Sequence, residues 1–275
     1  MKKYLKIIVL IIFALAGAFF YLLSADIINF SDAPRVNVPQ KQPQTEIVKN
    51  APEIPATDAS ANSKSNETPP IAEAEPVPTK NILFDVPFTS QAPFGEWKES
   101  AQHDGCEEAS ALMAIRWARG ERLTKEEAKQ EIISASNYEQ NQIGEFRDAS
   151  IEDTAEIIIK GYFQYQNVEI KNVTSTEDIV GELENRNIVI VPVNGRALGN
   201  PNYTAPGPER HMLVIKGYDY VQSEFITNDS GTRKGEGYRY PESLVFNAIR
   251  DYLTGHDLPI TGIEKRMITV RPNDI

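Results

Sequence analysis

Three residues of this chain have the types that thiol chemistry needs: its single cysteine, Cys106, a histidine, His211, and an aspartate, Asp229. A thiolate is a strong nucleophile once a base within hydrogen-bond reach takes its proton and a third group orients that base. Cys106 stands in the run His103-Asp104-Gly105-Cys106-Glu107-Glu108-Ala109-Ser110. Gly105 reads as a turn residue. Apolar residues at Ala109, Leu112, Met113 and Trp117 follow at helical spacing, which predicts a helix with Cys106 in its first turn. Unpaired backbone N–H groups and the helix dipole favour negative charge there and lower a thiol's pKa. Glu107 and Glu108 oppose that effect, because they add negative charge to the same turn. A lone cysteine by default packs as a small core hydrophobe, so its reading depends on its company elsewhere in the chain.

That company comes from two late strands. Residues 211–218 and 224–228 flank a turn around Asp219–Ser223. A hairpin centred near Tyr220 sets His211 opposite Asp229, where Cβ atoms on one face lie about 4.5–5.5 Å apart. The carboxylate can accept from one imidazole nitrogen, fix the tautomer and leave the other nitrogen for Cys106. An oxyanion forming at the attacked carbonyl needs donors. The backbone N–H of Cys106 is one, and Gln91 or Gln102 offers a neutral side-chain donor; spacing does not choose between them.

The elements that must position these residues form a mixed pattern. A short strand covers Ile82–Phe88, and a capping box at Thr124 opens a helix running to about Ser136. Asn137 to Ala149 reads as a polar loop, followed by a helix from Ser150 to about Gly161 or Phe163 and a short strand at 168–172. A helix over 175–186 precedes the β-branched strand 188–193, a loop at 195–210, the two strands above, a helix over 241–253 and a closing strand at 265–270. Helices first and an antiparallel sheet second is an α+β pattern.

The formal net charge is -11, which excludes a basic nucleic-acid-binding surface. One cysteine excludes an intrachain disulfide, and His103, His211 and His256 do not have metal-ligand spacing, so no metal and no cofactor is expected. Lys2, Lys3 and Lys6 precede an uncharged apolar run from Ile7 to Leu23. Such a run spans about one hydrocarbon core. Residues 1–25 therefore read as a signal anchor or transmembrane helix with the lysines on the cytoplasmic side. Cleavage near Ser24-Ala25 would release a secreted protein instead. Residues 26–80 are Pro-rich and lack aromatics after Phe30, the composition of a disordered linker. Residues 1–80 hold eight charges of each sign, leaving 20 basic and 31 acidic residues in 81–275. The acidity belongs to the folded domain, 81–275.

The run Asp85-Val86-Pro87-Phe88-Thr89-Ser90-Gln91, then Trp97, Gly105-Cys106-Glu107-Glu108-Ala109-Ser110, His211 to Asp219, and Asn228-Asp229 resembles the papain-like cysteine peptidases. It is most similar to stand-alone relatives of cysteine peptidase family thirty-nine, whose best-known members cut double-glycine leaders from bacteriocins. The resemblance covers about residues 82–250. It implies a fold of a helical half and a β half with the site between them. It implies Cys106 as nucleophile, His211 as general base and acid, Asp229 as the orienting residue and Gln91 as oxyanion donor, with Gln102 the fallback. Trp97, Trp117 and Tyr203 are candidate cleft walls. Many relatives carry Gly after the cysteine where this chain has Glu107, and no export transporter is fused here. The implied activity is a membrane-tethered, extracytoplasmic cysteine peptidase acting on a peptide or protein. The alternatives are a catalytically silent peptide-binding module, or a cell-wall peptide amidase or transpeptidase.

Overall fold

A computed structural model of the chain describes residues 81–256 and 258–273. The expected anchor (1–25) and linker (26–80) lie outside the described residues. Among the described residues, no helix is long and apolar enough to cross a membrane.

A seven-stranded antiparallel sheet organises the rest. Its strands are β1 (Ile82–Leu83), β2 (Val168–Asn172), β3 (Ile188–Val193), β4 (His211–Asp219), β5 (Glu224–Asn228), β6 (Glu236–Pro241) and β7 (Arg266–Val270). Their order is β2-β7-β3-β4-β5-β6, with β1 added to β4. The helices are α1 (Ser100–His103), α2 (Cys106–Ala118), α3 (Lys125–Ile143), α4 (Ile151–Asp153) running into a π-helical stretch (Thr154–Tyr162), α5 (Thr176–Glu184), α6 (Gly195–Leu198) and α7 (Glu242–Ala248).

Strand alternation sorts the sheet's side chains into two cores. Ile188, Ile190, Met212, Val214 and Ile268 face one way and pack with α2, α3 and the π-helical stretch. Val189, Val191, Val193, Leu213 and Ile215 face the other way and meet Ile179 and Leu183 of α5 and Val245 of α7. Both faces are covered, which is why β3 is a continuous apolar run, buried at every position.

The expected α+β arrangement is present; the first strand is confined to Ile82–Leu83, the helix expected over 241–253 covers Glu242–Ala248, and other details differ as follows. Helix α3 continues through the stretch expected to be a loop, to Ile143, and ends on Gly144 at φ 79°. Glu139 occupies one of its core-facing positions, and a buried carboxyl there hides the helical period. The third helix is mostly π-helical, with Phe163 N–H donating to the Ile158 carbonyl at 3.0 Å. Strand β6 falls where no strand was expected, and Pro241 ends it rather than opening the following helix. The β4–β5 hairpin pairs Val214 with Asn228 and, past a bulge, Gly217 with Ile226. That register is about two residues away from the one expected.

Candidate active site

Cys106 is the first residue of α2 and Gly105 is its N-cap. A Cβ at Gly105 would stand 2.4 Å from the Ala101 carbonyl oxygen, so only glycine lets α1 turn this closely into α2. One turn further on, Ser110 Oγ donates to the Met212 carbonyl at 3.1 Å. This bond docks the cysteine helix on β4 beside His211. Cys106 and His211 line one cleft of about 950 Å³, together with Gln91, Trp97 and Tyr203.

The thiol does not rest as a dipole-stabilised thiolate. It is 4% exposed, and burial pushes its pKa well up, with the Glu107, Asp148 and Glu108 carboxyls adding to the rise. Its Sγ donates to Glu107 Oε2 at 3.0 Å. Glu107 is fully buried, and Tyr252 Oη donates to its other oxygen at 2.6 Å. Burial, with the charges of Asp148 and Glu108, raises the Glu107 carboxyl to about 8. Glu108 accepts from Ser136. Burial raises Glu108 to about 7 and its neighbour Glu139 to about 11, and Glu108 Oε2 and both Glu139 carboxyl oxygens have no hydrogen-bond partner among the described residues. The two first-turn acids are therefore core groups.

His211 is 1% exposed and its Nε2 lies 2.8 Å from Asp229 Oδ1. An ionised carboxylate can only accept, so Nε2 carries a hydrogen, and in the neutral imidazole the lone pair is then on Nδ1. Nδ1 has no partner among the described residues. The two-residue shift in register does not separate the pair. Continuing the Val214–Asn228 pairing puts His211 opposite Gly231, which leaves Asp229 diagonal to it on the same face. Asp229 is fully buried yet lies below the usual carboxylate range. Burial alone would raise it, but the His211 charge and hydrogen bond outweigh that, helped by Tyr203 and Tyr240. Both tyrosine hydroxyls donate to Oδ2 at 2.6 Å, Asn200 Nδ2 at 3.3 Å, and the Gly231 N–H donates to Oδ1 at 3.1 Å.

The two glutamines separate clearly. Gln91 is held by its own N–H on the Ser230 carbonyl at 3.0 Å, beside Asp229. Its Nε2 spends one hydrogen on the His103 carbonyl at 2.6 Å and keeps a second. Asn228 fastens the preceding segment by donating to the Val86 and Pro87 carbonyls at 3.1 and 3.3 Å. Gln102 is fully buried, bonds Glu99, and does not line the cleft. Trp97 is half-buried on the cleft wall. Tyr203 is both wall and donor to Asp229, edge-on to the His211 ring at 5.6 Å. Trp117 is not a cleft wall; it packs on Phe84 with ring centroids 5.6 Å apart.

Sequence reasoning missed Asn200, Tyr240 and Tyr252, and also a second histidine–aspartate pair in the cleft, His256 Nδ1 to Asp148 Oδ2 at 2.8 Å. Tyr240 sits on the unforeseen strand β6, and no spacing links Tyr252 to Glu107. Among the described residues no group of His, Cys, Asp and Glu is arranged to hold a metal ion.

A solved structure of a provisionally assigned C39-like peptidase from Bacillus anthracis superposes with a TM-score of 0.43 at 15% identity, over 71% of this chain and 100% of that one. No curated protein matches. The model of the Peptidase_C39-like family matches residues 83–253, a span that holds Gln91, Cys106, His211 and Asp229, and the chain belongs to that family.

Proposed function

We propose that the protein is a membrane-tethered, extracytoplasmic cysteine peptidase in which Cys106 attacks, His211 moves the proton, Asp229 orients the imidazole and Gln91 helps hold the oxyanion. The observation that carries this reading is the His211–Asp229 pair, 2.8 Å apart and buried, in the same cleft as a cysteine at a helix start. Family membership supplies the peptide or protein substrate class. The apolar run at 7–23 behind three lysines supports the tether and the placement outside the cytoplasm.

In the reaction, Nδ1 of His211 takes the thiol proton and Sγ bonds to the substrate carbonyl carbon. The negative charge on that carbonyl oxygen meets the Cys106 N–H and the spare Gln91 hydrogen. The C–N bond then breaks as His211 returns the proton to the leaving amine, leaving a thioester. Water, deprotonated by His211, attacks the thioester, and Cys106 leaves as the thiol with release of a carboxylic acid. Asp229 stabilises the imidazolium in each half.

One observation favours a second reading, a silent peptide-binding module: the resting thiol is committed to Glu107 and its pKa is raised. Iodoacetamide labelling of Cys106 at neutral pH, combined with cleavage of a mixed peptide library, separates the two. Peptidase activity requires labelling at Cys106 and cleavage abolished in Cys106→Ala. An unreactive thiol with library binding that survives Cys106→Ala establishes the binding module instead.

A further inference from the structure

We propose that Arg233 and Lys234 form a carboxylate-recognition subsite in the cleft, so that the preferred substrates are peptides carrying a carboxylate next to the turn between β5 and β6. This deepens the peptidase reading and rests on it for the cleavage assay.

Four cations line the cleft: Arg196, Arg210, Arg233 and Lys234. Two of them are already neutralised. Arg196 pairs with Glu209 at 3.2 Å, and Arg210 lies 3.8 Å from Asp148 and donates to the Leu258 carbonyl. The side chains of Arg233 and Lys234 are exposed and have no carboxylate or hydrogen-bond partner among the described residues. They stand out in a domain with 31 acidic and 20 basic residues, where a spare cation has many carboxylates to choose from.

Their position is fixed by the turn that bears them. The Asp229 N–H donates to the Gly235 carbonyl at 3.0 Å, the Gly231 N–H to Asp229 Oδ1 at 3.1 Å, and the Lys234 N–H to Thr232 Oγ1 at 3.2 Å. Gln91 joins the same turn through the Ser230 carbonyl at 3.0 Å. The turn is thus fastened to the two residues proposed to orient the base and hold the oxyanion. The backbone of such a turn needs no further ordering when a ligand arrives, so the ordering cost left is that of the two side chains. Elsewhere the cleft is lined by Asp104, Asp148 and Glu209. Those acids are themselves paired, Asp104 with His103, Asp148 with Arg210 and His256, and Glu209 with Arg196, so the unpaired positive charge of Arg233 and Lys234 draws a substrate carboxylate to that turn and gives the substrate a direction as well as an affinity. Two sources supply such a group: an Asp or Glu side chain, or the α-carboxylate at a peptide's C-terminus.

The test uses matched peptides with Glu or Gln scanned across the cleavage position, each made as the free acid and as the C-terminal amide. The wild-type protein is expected to cleave the best Glu peptide about fivefold faster in kcat/KM than its Gln partner at low ionic strength, with the gap closing as salt rises. The Arg233→Ala/Lys234→Ala double variant should lose the gap and leave the Gln peptide within about twofold of wild type. A gap between free acid and amide, rather than between Glu and Gln, assigns the site to a peptide C-terminus. Equal rates for every pair in wild type, or a gap that survives the double substitution, overturns the proposal. If no peptide is cleaved, Cys106→Ala protein is titrated with the fluorescein-labelled peptides by anisotropy. A Glu-over-Gln or acid-over-amide preference that needs Arg233 and Lys234 supports the subsite, and equal binding refutes it. Iodoacetamide labelling of Cys106, which these two side chains do not touch, reports separately on the peptidase reading.

Discussion

Cys106 Sγ and Glu107 Oε2 lie 3.0 Å apart, and among the described residues this is the thiol's hydrogen bond; none joins it to His211. Replacing the carboxyl of Glu107 by an amide removes its charge and keeps an acceptor for Tyr252. With its carboxyl raised to about 8, Glu107 is mainly ionised only above that pH; Glu107→Gln is therefore expected to lower the thiol pKa and raise the iodoacetamide alkylation rate at about pH 9 by about three- to tenfold, since one pKa unit is a tenfold change in thiolate. The midpoint of the alkylation rate against pH checks this. An unmoved midpoint would show that Glu107 does not hold the thiol proton.

Asp229 accepts from one imidazole, two hydroxyls, one amide and one backbone N–H. In Asp229→Asn an amide N–H must face some of those donors. We expect kcat on a cleaved peptide to fall about 10²–10⁴-fold through loss of the correct tautomer, and stability to fall by about 1–3 kcal/mol. The carboxyl's folded pKa is depressed, so its stabilisation is present above the ordinary Asp range and is lost as pH falls through the folded value. Acid unfolding followed by circular dichroism should accordingly be shallower in the variant.

Glu107, Glu108 and Glu139 give the opposite sign. Their folded pKa values are raised by burial. Below the ordinary Glu range both states are protonated. As pH rises above it, the unfolded chain ionises first while the folded protein keeps its protons, so stability falls towards pH 8. The unfolding free energy from urea titration should drop between pH 5.5 and 8.5 by an amount on the order of 2 kcal/mol. Glu139→Gln should flatten that slope, and a slope identical to wild type would remove these groups as its cause.

Two glycines of the β5–β6 turn separate catalysis from folding. A Cβ at Gly231 would lie 2.9 Å from His211 Cε1 and 3.1 Å from Tyr203 Cε1, whereas one at Gly235 would lie 1.8 Å from the Asp229 carbonyl oxygen. Gly231→Ala should cost about 10–100-fold in kcat by displacing the ring, with stability within about 1 kcal/mol. Gly235→Ala meets backbone that cannot yield and should destabilise by about 3 kcal/mol. Calorimetry beside single-turnover kinetics reads both.

Gln91→Ala should lower kcat about 10²–10³-fold with little effect on thiol labelling, the pattern of a lost oxyanion donor. Gln102→Ala removes a buried bond to Glu99, outside the cleft. It should act on the unfolding midpoint and not on kcat; the reverse outcome would exchange the roles of the two residues.

Much of this was legible because the relevant signals are local. The capping box at Thr124 forms as read, with the Glu127 N–H on Thr124 Oγ1 at 3.2 Å, and Cys106 begins a helix after a glycine. The nearness of His211 and Asp229 survived an error in register because a shift of two keeps both side chains on one face of the sheet. What failed to show were groups whose burial contradicts their type. Glu139 broke the apolar period of α3, and nothing in the sequence reveals that Tyr252, 145 positions from Glu107, closes over that carboxyl. The strand bearing Tyr240 was missed because Glu236, Gly237 and Arg239 dilute its β-forming residues, and its outer edge is unpaired.

The place of β7 has a consequence for the order of events in the life of the chain. This strand is the last in the described sequence, yet it lies inside the sheet, paired to Val168–Asn172 on one side and to Ile188–Ile190 on the other. Every residue up to Lys265 must be delivered before the wedge between those two strands begins to emerge. Until then two strands wait with open edges, and the layer beneath the cysteine helix is unfinished. The sheet beneath the helix that begins at Cys106 is therefore completed only when the far end of the described chain has been delivered.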